Sequence, residues 1–146
     1  MPSQRRHPFR IFLALILLTL LTTACAVREK RLYQGVQLPG SQVAVVKAQD
    51  PSQVGGGSVR FFLGFESFMK DGDAQRTFVN DMWSGYPTSV ETLPGDYTII
   101  AYCASGGFFA HPSIKLRLVA GKTYTLRCGF TPNDVNRFLV SLDSVS

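Results

Sequence analysis

The chain has 146 residues, with 15 Lys or Arg against 10 Asp or Glu, a formal net charge of +5, two His and three Cys. That length accommodates one domain around one core and is too short for two. The basic residues are scattered and form no patch, so the electrostatic footprint of a nucleic-acid-binding protein is missing. With no Cys-x-x-Cys spacing and so few histidines, a zinc site is left without ligands.

The first element is a leader. Arg5, Arg6, His7 and Arg10 precede an apolar run from Ile11 to Leu21 that only Thr19 softens. A positive n-region, an apolar h-region of roughly 7 to 15 residues and a small-residue cleavage site make a secretory signal. As a transmembrane helix, rising 1.5 Å per residue, the run falls well short of the roughly 20 residues that a bilayer core requires. The stretch Leu21-Thr22-Thr23-Ala24-Cys25 resembles a bacterial lipobox, departing from it at Thr22, with the expected Leu one position earlier. The resemblance implies lipid on the Cys25 thiol, cleavage in front of it and membrane attachment through that lipid. It divides the chain into a signal peptide over 1–24, a lipid-anchored tether over 25–41 and a domain over 42–146. Ala26, rather than an acidic residue, follows the cysteine, which by the same resemblance implies the outer membrane, facing the periplasm. Cutting near Ala24 or Ala26 by the ordinary peptidase, leaving a soluble periplasmic protein, is the alternative. Without the leader the net charge falls to about +2, since Arg5, Arg6 and Arg10 go with it. Arg28, Lys30 and Arg31, with Glu29 among them, read as a solvated tether, or as a cluster within a Debye length of lipid head groups.

If Cys25 carries lipid, Cys103 and Cys128 form an even pair in an oxidising compartment, and a disulfide between them is the economical inference. It closes a loop of roughly 25 residues and contributes about 3 kcal/mol in the chain-entropy model.

Past the tether, Val43, Val45 and Val46 mark a first strand over Gln42 to Ala48. Asp50-Pro51-Ser52 and Gly55-Gly56-Gly57 form a surface connection, for no helix start or Gly-Lys-Ser/Thr follows to make a phosphate cradle. Val59 to Leu63 is a second strand, Phe65 to Met69 continues it or pairs with it, and Gly64 allows a bulge between them. Asp71-Gly72 signals a two-residue hairpin, with Thr77-Phe78-Val79 returning. The segment Asn80 to Pro87 has no clear period. Its Trp83 and Tyr86 are expected to plug the open end of the core, the alternative being an exposed loop of the kind that holds carbohydrate.

Leu93-Pro94-Gly95-Asp96 is a turn with Pro and Gly at its central positions. Tyr97 to Cys103 is apolar on both faces and reads as a central strand. After a loop over Ser105 to Pro112, Ile114, Leu116 and Leu118 alternate with Lys115 and Arg117. Ala120-Gly121-Lys122 then turns the chain into a strand with Tyr124, Leu126, Cys128 and Phe130 inside, and Phe138, Val140 and Leu142 close the sequence. Short strands, frequent turns and no long amphipathic helix predict an all-β fold: a single, mainly antiparallel β-sandwich of the Greek-key, Ig-like or transthyretin-like kind behind a signal helix. Phase places both cysteines inside, late in strands that run in the same direction. A plain meander would hold them near 9.6 Å apart, so a bridge requires adjacent parallel strands or opposite sheets.

The combination Tyr33-x-Gly35-x-x-Leu38-Pro39-x-x-Gln42-Val43-Ala44, Leu93-Pro94-Gly95-x-Tyr97-Thr98 and Ala120-Gly121-Lys122-Thr123-Tyr124-Thr125-Leu126 is similar to small bacterial lipoproteins with a PEGA-like or transthyretin-like β-sandwich domain. The resemblance implies fold and localisation, and hardly any activity. No Gly-x-Ser-x-Gly elbow occurs, Asp71, Asp73, Asp81, Glu91 and Asp96 fall in turns, and His111 is the one candidate base, so catalysis and a cofactor are not expected, a glycosidase with two converging carboxylates being the enzymatic alternative. A structural or interaction role in the cell envelope, with a protein partner, is the expectation. Binding of a carbohydrate or peptidoglycan ligand, or an inhibitory role, is the alternative. Phe108, Phe109, Trp83 and Tyr86 are the candidate contact residues, and their exposure decides between contact and core.

Overall fold

In the computed structural model, residues 29–50 and 59–146 are described. The leader, Cys25, the first part of the tether and the triple glycine lie outside them. Among the described residues ten strands follow one another: β1 Glu29–Arg31, β2 Ala44–Ala48, β3 Phe62–Lys70, β4 Thr77–Phe78, β5 Ser89–Thr92, β6 Gly95–Ser105, β7 Phe108–Ala110, β8 Ser113–Leu118, β9 Thr123–Thr131 and β10 Asp134–Val145. They form two five-stranded sheets. The first has the order β1-β5-β2-β9-β10; in the second, β4-β3-β6 is flanked by β7 and β8 along the same edge of β6. Most pairs are antiparallel; β1 with β5 and β2 with β9 are parallel.

Alternation explains which sides meet. Tyr97, Ile99, Ala101 and Cys103 of β6 are buried while Thr98, Ile100 and Tyr102 are half-buried, and Tyr124, Leu126 and Cys128 of β9 are buried with Arg127 exposed. These inner residues join Val46, Val90, Leu63, Phe65, Phe68 and Leu118 in one apolar core between the sheets. Cys103 and Cys128 are disulfide-bonded, with Cα atoms 5.9 Å apart. Since Cys103 is in β6 and Cys128 in β9, the bridge crosses between the sheets, one of the two arrangements that phase allows.

Strand directions define the ends of the sandwich. β6, β9 and β2 finish at the disulfide end, and β3, β5 and β1, which run opposite to a neighbour among these, start there. Phe61, Phe130 and Phe138 close this end with ring centroids 4.9 to 6.1 Å apart. The β6–β7 turn, with Gly106 and Gly107 at φ 57° and 88°, caps the same end. The β8–β9 turn around Val119 and Gly121 lies at the opposite end.

Several sequence expectations change. Trp83 does not plug the core: it is 92 % exposed, and the three phenylalanines fill that place. β3 is one continuous strand whose register shifts between Phe65 and Ser67, not at Gly64. A loop longer than two residues joins it to β4, with Asp73 N donating to Lys70 O. The expected loop after Ser105 contains β7, which prolongs the edge that β8 occupies, and Ala101 N donates to Pro112 O across the break. Glu29–Arg31, expected in the tether, is an edge strand. Tyr33 beside it donates its hydroxyl to Glu91, and Leu32 N donates to Glu91 O.

Candidate functional site

Aromatic side chains gather on the outer face of the β3–β6–β7 sheet. Gly64 of β3 pairs with Tyr102 of β6, and Phe62 pairs with Ala104, which in turn pairs with Phe109 of β7. Phe62 and Phe109 therefore stand either side of a small residue. The groove they flank, about 440 Å³, is lined further by Arg60, Tyr102 and Phe108.

Tyr86 comes to this face from the segment after β4. A Cβ added at Gly64 would fall inside 3.0 Å of Tyr86 Cβ, so the missing side chain of Gly64 is what lets Tyr86 lie on the sheet. There its ring stacks on Tyr102 at 4.2 Å between centroids and 5° between planes. Phe109 stacks on Tyr102 at 5.8 Å, and Phe62 meets it edge-on at 6.1 Å. The Tyr86 hydroxyl is pushed above its usual 10.0, first by burial and then by the negative charge of Glu66 and by Tyr102.

His111 follows β7 and sits among Tyr102, Phe109 and Tyr86 at 5.5, 6.0 and 6.3 Å. Its Nδ1 meets Glu66 Oε2. A carboxylate only accepts, so Nδ1 carries the proton and Glu66 fixes the ring's orientation. Glu66 stands at the β3 register shift, where the extra residue re-aims its side chain. Among the described residues, no three His, Cys, Asp or Glu side chains converge to hold a metal ion.

The second feature is the loop from Asp81 to Gly85. Asp81 N donates to Gly85 O at 3.2 Å and Gly85 N to Asp81 O at 2.9 Å. Within this closed ring the Asp81 carboxylate accepts from Trp83 N at 2.9 Å, from Ser84 N and from the Ser84 hydroxyl. These bonds, the Ser84 hydroxyl's foremost, hold the carboxyl below its ordinary 3.8, with Lys30 adding to the effect at 4.0 Å. The result is a shaped loop with Met82 and Trp83 at its tip, both 92 % exposed.

The four candidate contact residues thus separate. Tyr86 and Phe109 meet through Tyr102. Phe108, 74 % exposed, and Phe109, 63 % exposed, project from the β6–β7 hairpin. Among the described residues, Trp83 has no ring contact with this cluster. Cys25 lies outside the described residues. Sequence reading missed Phe62, Glu66 and Tyr102 as site residues. The available signal was Tyr102, a large aromatic on the outward phase of β6. No protein-family model matches the chain, and neither a curated protein nor a solved structure matches it.

Proposed function

We propose that this protein is a lipid-anchored module of the bacterial cell envelope, exported by residues 1–24, acylated on Cys25 and facing the periplasm from the outer membrane, where it docks a partner protein without catalysis. The observation that carries the docking role is the Asp81–Gly85 loop. Exposing Trp83 and Met82 forfeits burial worth about 1.5–3 kcal/mol for a large apolar side chain, and five hydrogen bonds in and across the ring hold the loop in that shape. A rigid aromatic projection of this kind is what fills a partner's pocket at an interface centre, where truncation costs 2 kcal/mol or more, roughly 30-fold in affinity.

A disulfide between sheets agrees with an oxidising compartment. The same bridge and the parallel β2–β9 pair support a Greek-key sandwich of the PEGA-like or transthyretin-like kind. A second reading, a carbohydrate or peptidoglycan ligand, is favoured by the Tyr102–Phe109 rings beside the polar Glu66 and His111. Capture from envelope extracts with the wild-type lipidated protein and with Trp83→Ala separates the two. A protein retained by the wild type and lost from the variant supports the docking role. Retention of glycan alone, equal in both, contradicts it.

A further inference from the structure

We propose that the disulfide end of the sandwich, through Phe108, Phe109 and Phe62 beside Arg60, sits in the head-group layer of the membrane to which the chain is tethered. The inference rests on the lipid anchor at Cys25 and adds an orientation to it.

Chain length limits how far the tethered end can lie from the lipid. β1 starts at Glu29 and runs parallel to β5, so the chain enters the sandwich at the disulfide end. Only Ala26, Val27 and Arg28 lie between Cys25 and Glu29, so the two Cα atoms are four steps, at most about 14 Å, apart. A lipid on Cys25 therefore holds that end within about 14 Å of the lipid, roughly two head-group thicknesses, and the opposite end, with Val119, lies farther from the anchor.

That end also displays the exposed aromatic rings of β3 and β7. Phe108 and Phe109 are 74 % and 63 % exposed at the tip of the β6–β7 turn, and Phe62 is 43 % exposed beside them. Phe61, Phe130 and Phe138 lie half-buried behind. The turn is drawn in by the Ser105 hydroxyl, which donates to Arg60 O at 2.8 Å, and Arg60 itself is exposed next to the phenylalanines. Apolar rings bordered by a cation suit the boundary between anionic head groups and acyl chains, where an interfacial element buries its apolar side by about 5–10 Å. By contrast, the β8–β9 turn at the other end offers Val119, Ala120, Gly121 and Lys122, with no aromatic residue.

The test uses the purified lipidated protein in vesicles of phosphatidylethanolamine and phosphatidylglycerol carrying bromines on the acyl chains. Trp83 is the sole tryptophan, so a Trp83→Phe background permits one reporter indole at a time, from Phe108→Trp or from Val119→Trp. Insertion to the stated depth brings the position-108 indole to the acyl boundary, so it loses about half or more of its emission while the position-119 indole loses none. Failure to float with the vesicles sinks the anchor and this orientation together. Flotation with position 108 unquenched, or with both positions quenched alike, leaves the anchor standing and overturns the orientation. Shielding of position 108 from acrylamide only when envelope proteins are added assigns the hairpin to a protein partner, which overturns it too.

Discussion

Replacing Gly64 with Ala tests the aromatic cluster at its base, because the two ways of reading that glycine predict opposite signs. Gly64 does not adopt a positive φ, so its backbone accepts Ala without strain. If Gly64 were only a weak point in β3, Ala would stabilise the fold by about 0.4–1 kcal/mol through the unfolded chain. The added methyl, however, falls inside 3.0 Å of Tyr86 Cβ, 3.2 Å from Tyr86 O and 3.3 Å from Phe62 Cε1. A backbone oxygen cannot swing away as a side-chain tip can, so Tyr86 must leave the sheet. Overpacking costs about 1–3 kcal/mol, and the lost Tyr86–Tyr102 stack a further 0.5–1.5 kcal/mol, roughly. Set against the unfolded-state gain, the net is a destabilisation of about 2 kcal/mol. In urea, with a slope of about 1–3 kcal/mol per molar, the midpoint drops by about 1 M. NMR of ring-labelled tyrosine provides the second readout: the Tyr86 hydroxyl, titrating above 10.0 while buried near Glu66, returns toward that value once expelled. An unchanged or raised urea midpoint with the Tyr86 titration unmoved would refute the packing described for this face.

Further outcomes follow from the same structure. Replacing Cys103 and Cys128 by Ser together removes the link between the sheets and lowers stability by about 3 kcal/mol; thermal unfolding of the wild type with and without reductant should reproduce the difference. Because the Asp81 carboxyl is held below 3.8 in the folded chain, its grip on the loop is fully present above that value and is lost as pH falls through the lowered one. Trp83 emission should therefore stay constant from neutral pH down to about 4 and change only below it, and Asp81→Asn should abolish the step. Among the described residues, Ser67 Oγ is buried without a hydrogen-bond partner, so Ser67→Ala should leave the urea midpoint unchanged or raise it. A loss of more than about 1 kcal/mol would mean the hydroxyl has a partner after all.

The strands legible in the sequence are those whose apolar residues alternate: β6, β8 and β9 owe their burial to side chains facing a single core. β5 escaped notice because Ser89-Val90-Glu91-Thr92 carries one apolar residue. It is nevertheless buried throughout, since Glu91 has Tyr33 as its partner and β1 and β2 cover both edges. β1 is charged along its length and is a strand through backbone pairing alone, which no side-chain pattern reports. The cysteine pairing followed from the count, since setting Cys25 aside leaves one pair, and phase supported it by turning both side chains inward. Trp83 went the other way. Its size suggested core, but the hydrogen bonds that Asp81 accepts from Trp83 N and Ser84 hold the loop with the ring outward. What stayed hidden was how the aromatic cluster assembles: Tyr86, Phe109 and His111 were legible singly, but they meet Phe62 and Tyr102 from four segments, through pairings set by sheet register.

The position of β2 in the first sheet bears on how the chain must acquire its fold. Val45 pairs with Glu91 on one side and with Thr123 on the other, so neither ladder can form from the first half of the chain. A polypeptide emerging from any pore or ribosome with its N-terminus leading holds β1 and β2 unpaired until β5 has come through, and leaves the second edge of β2 open until β9 follows. Closing such distant contacts is slow, because loop entropy is lost before the pairing compensates it. The valines at 43, 45 and 46 are therefore the segment most in need of shielding during synthesis, and a chaperone that favours extended apolar chain has its best target there.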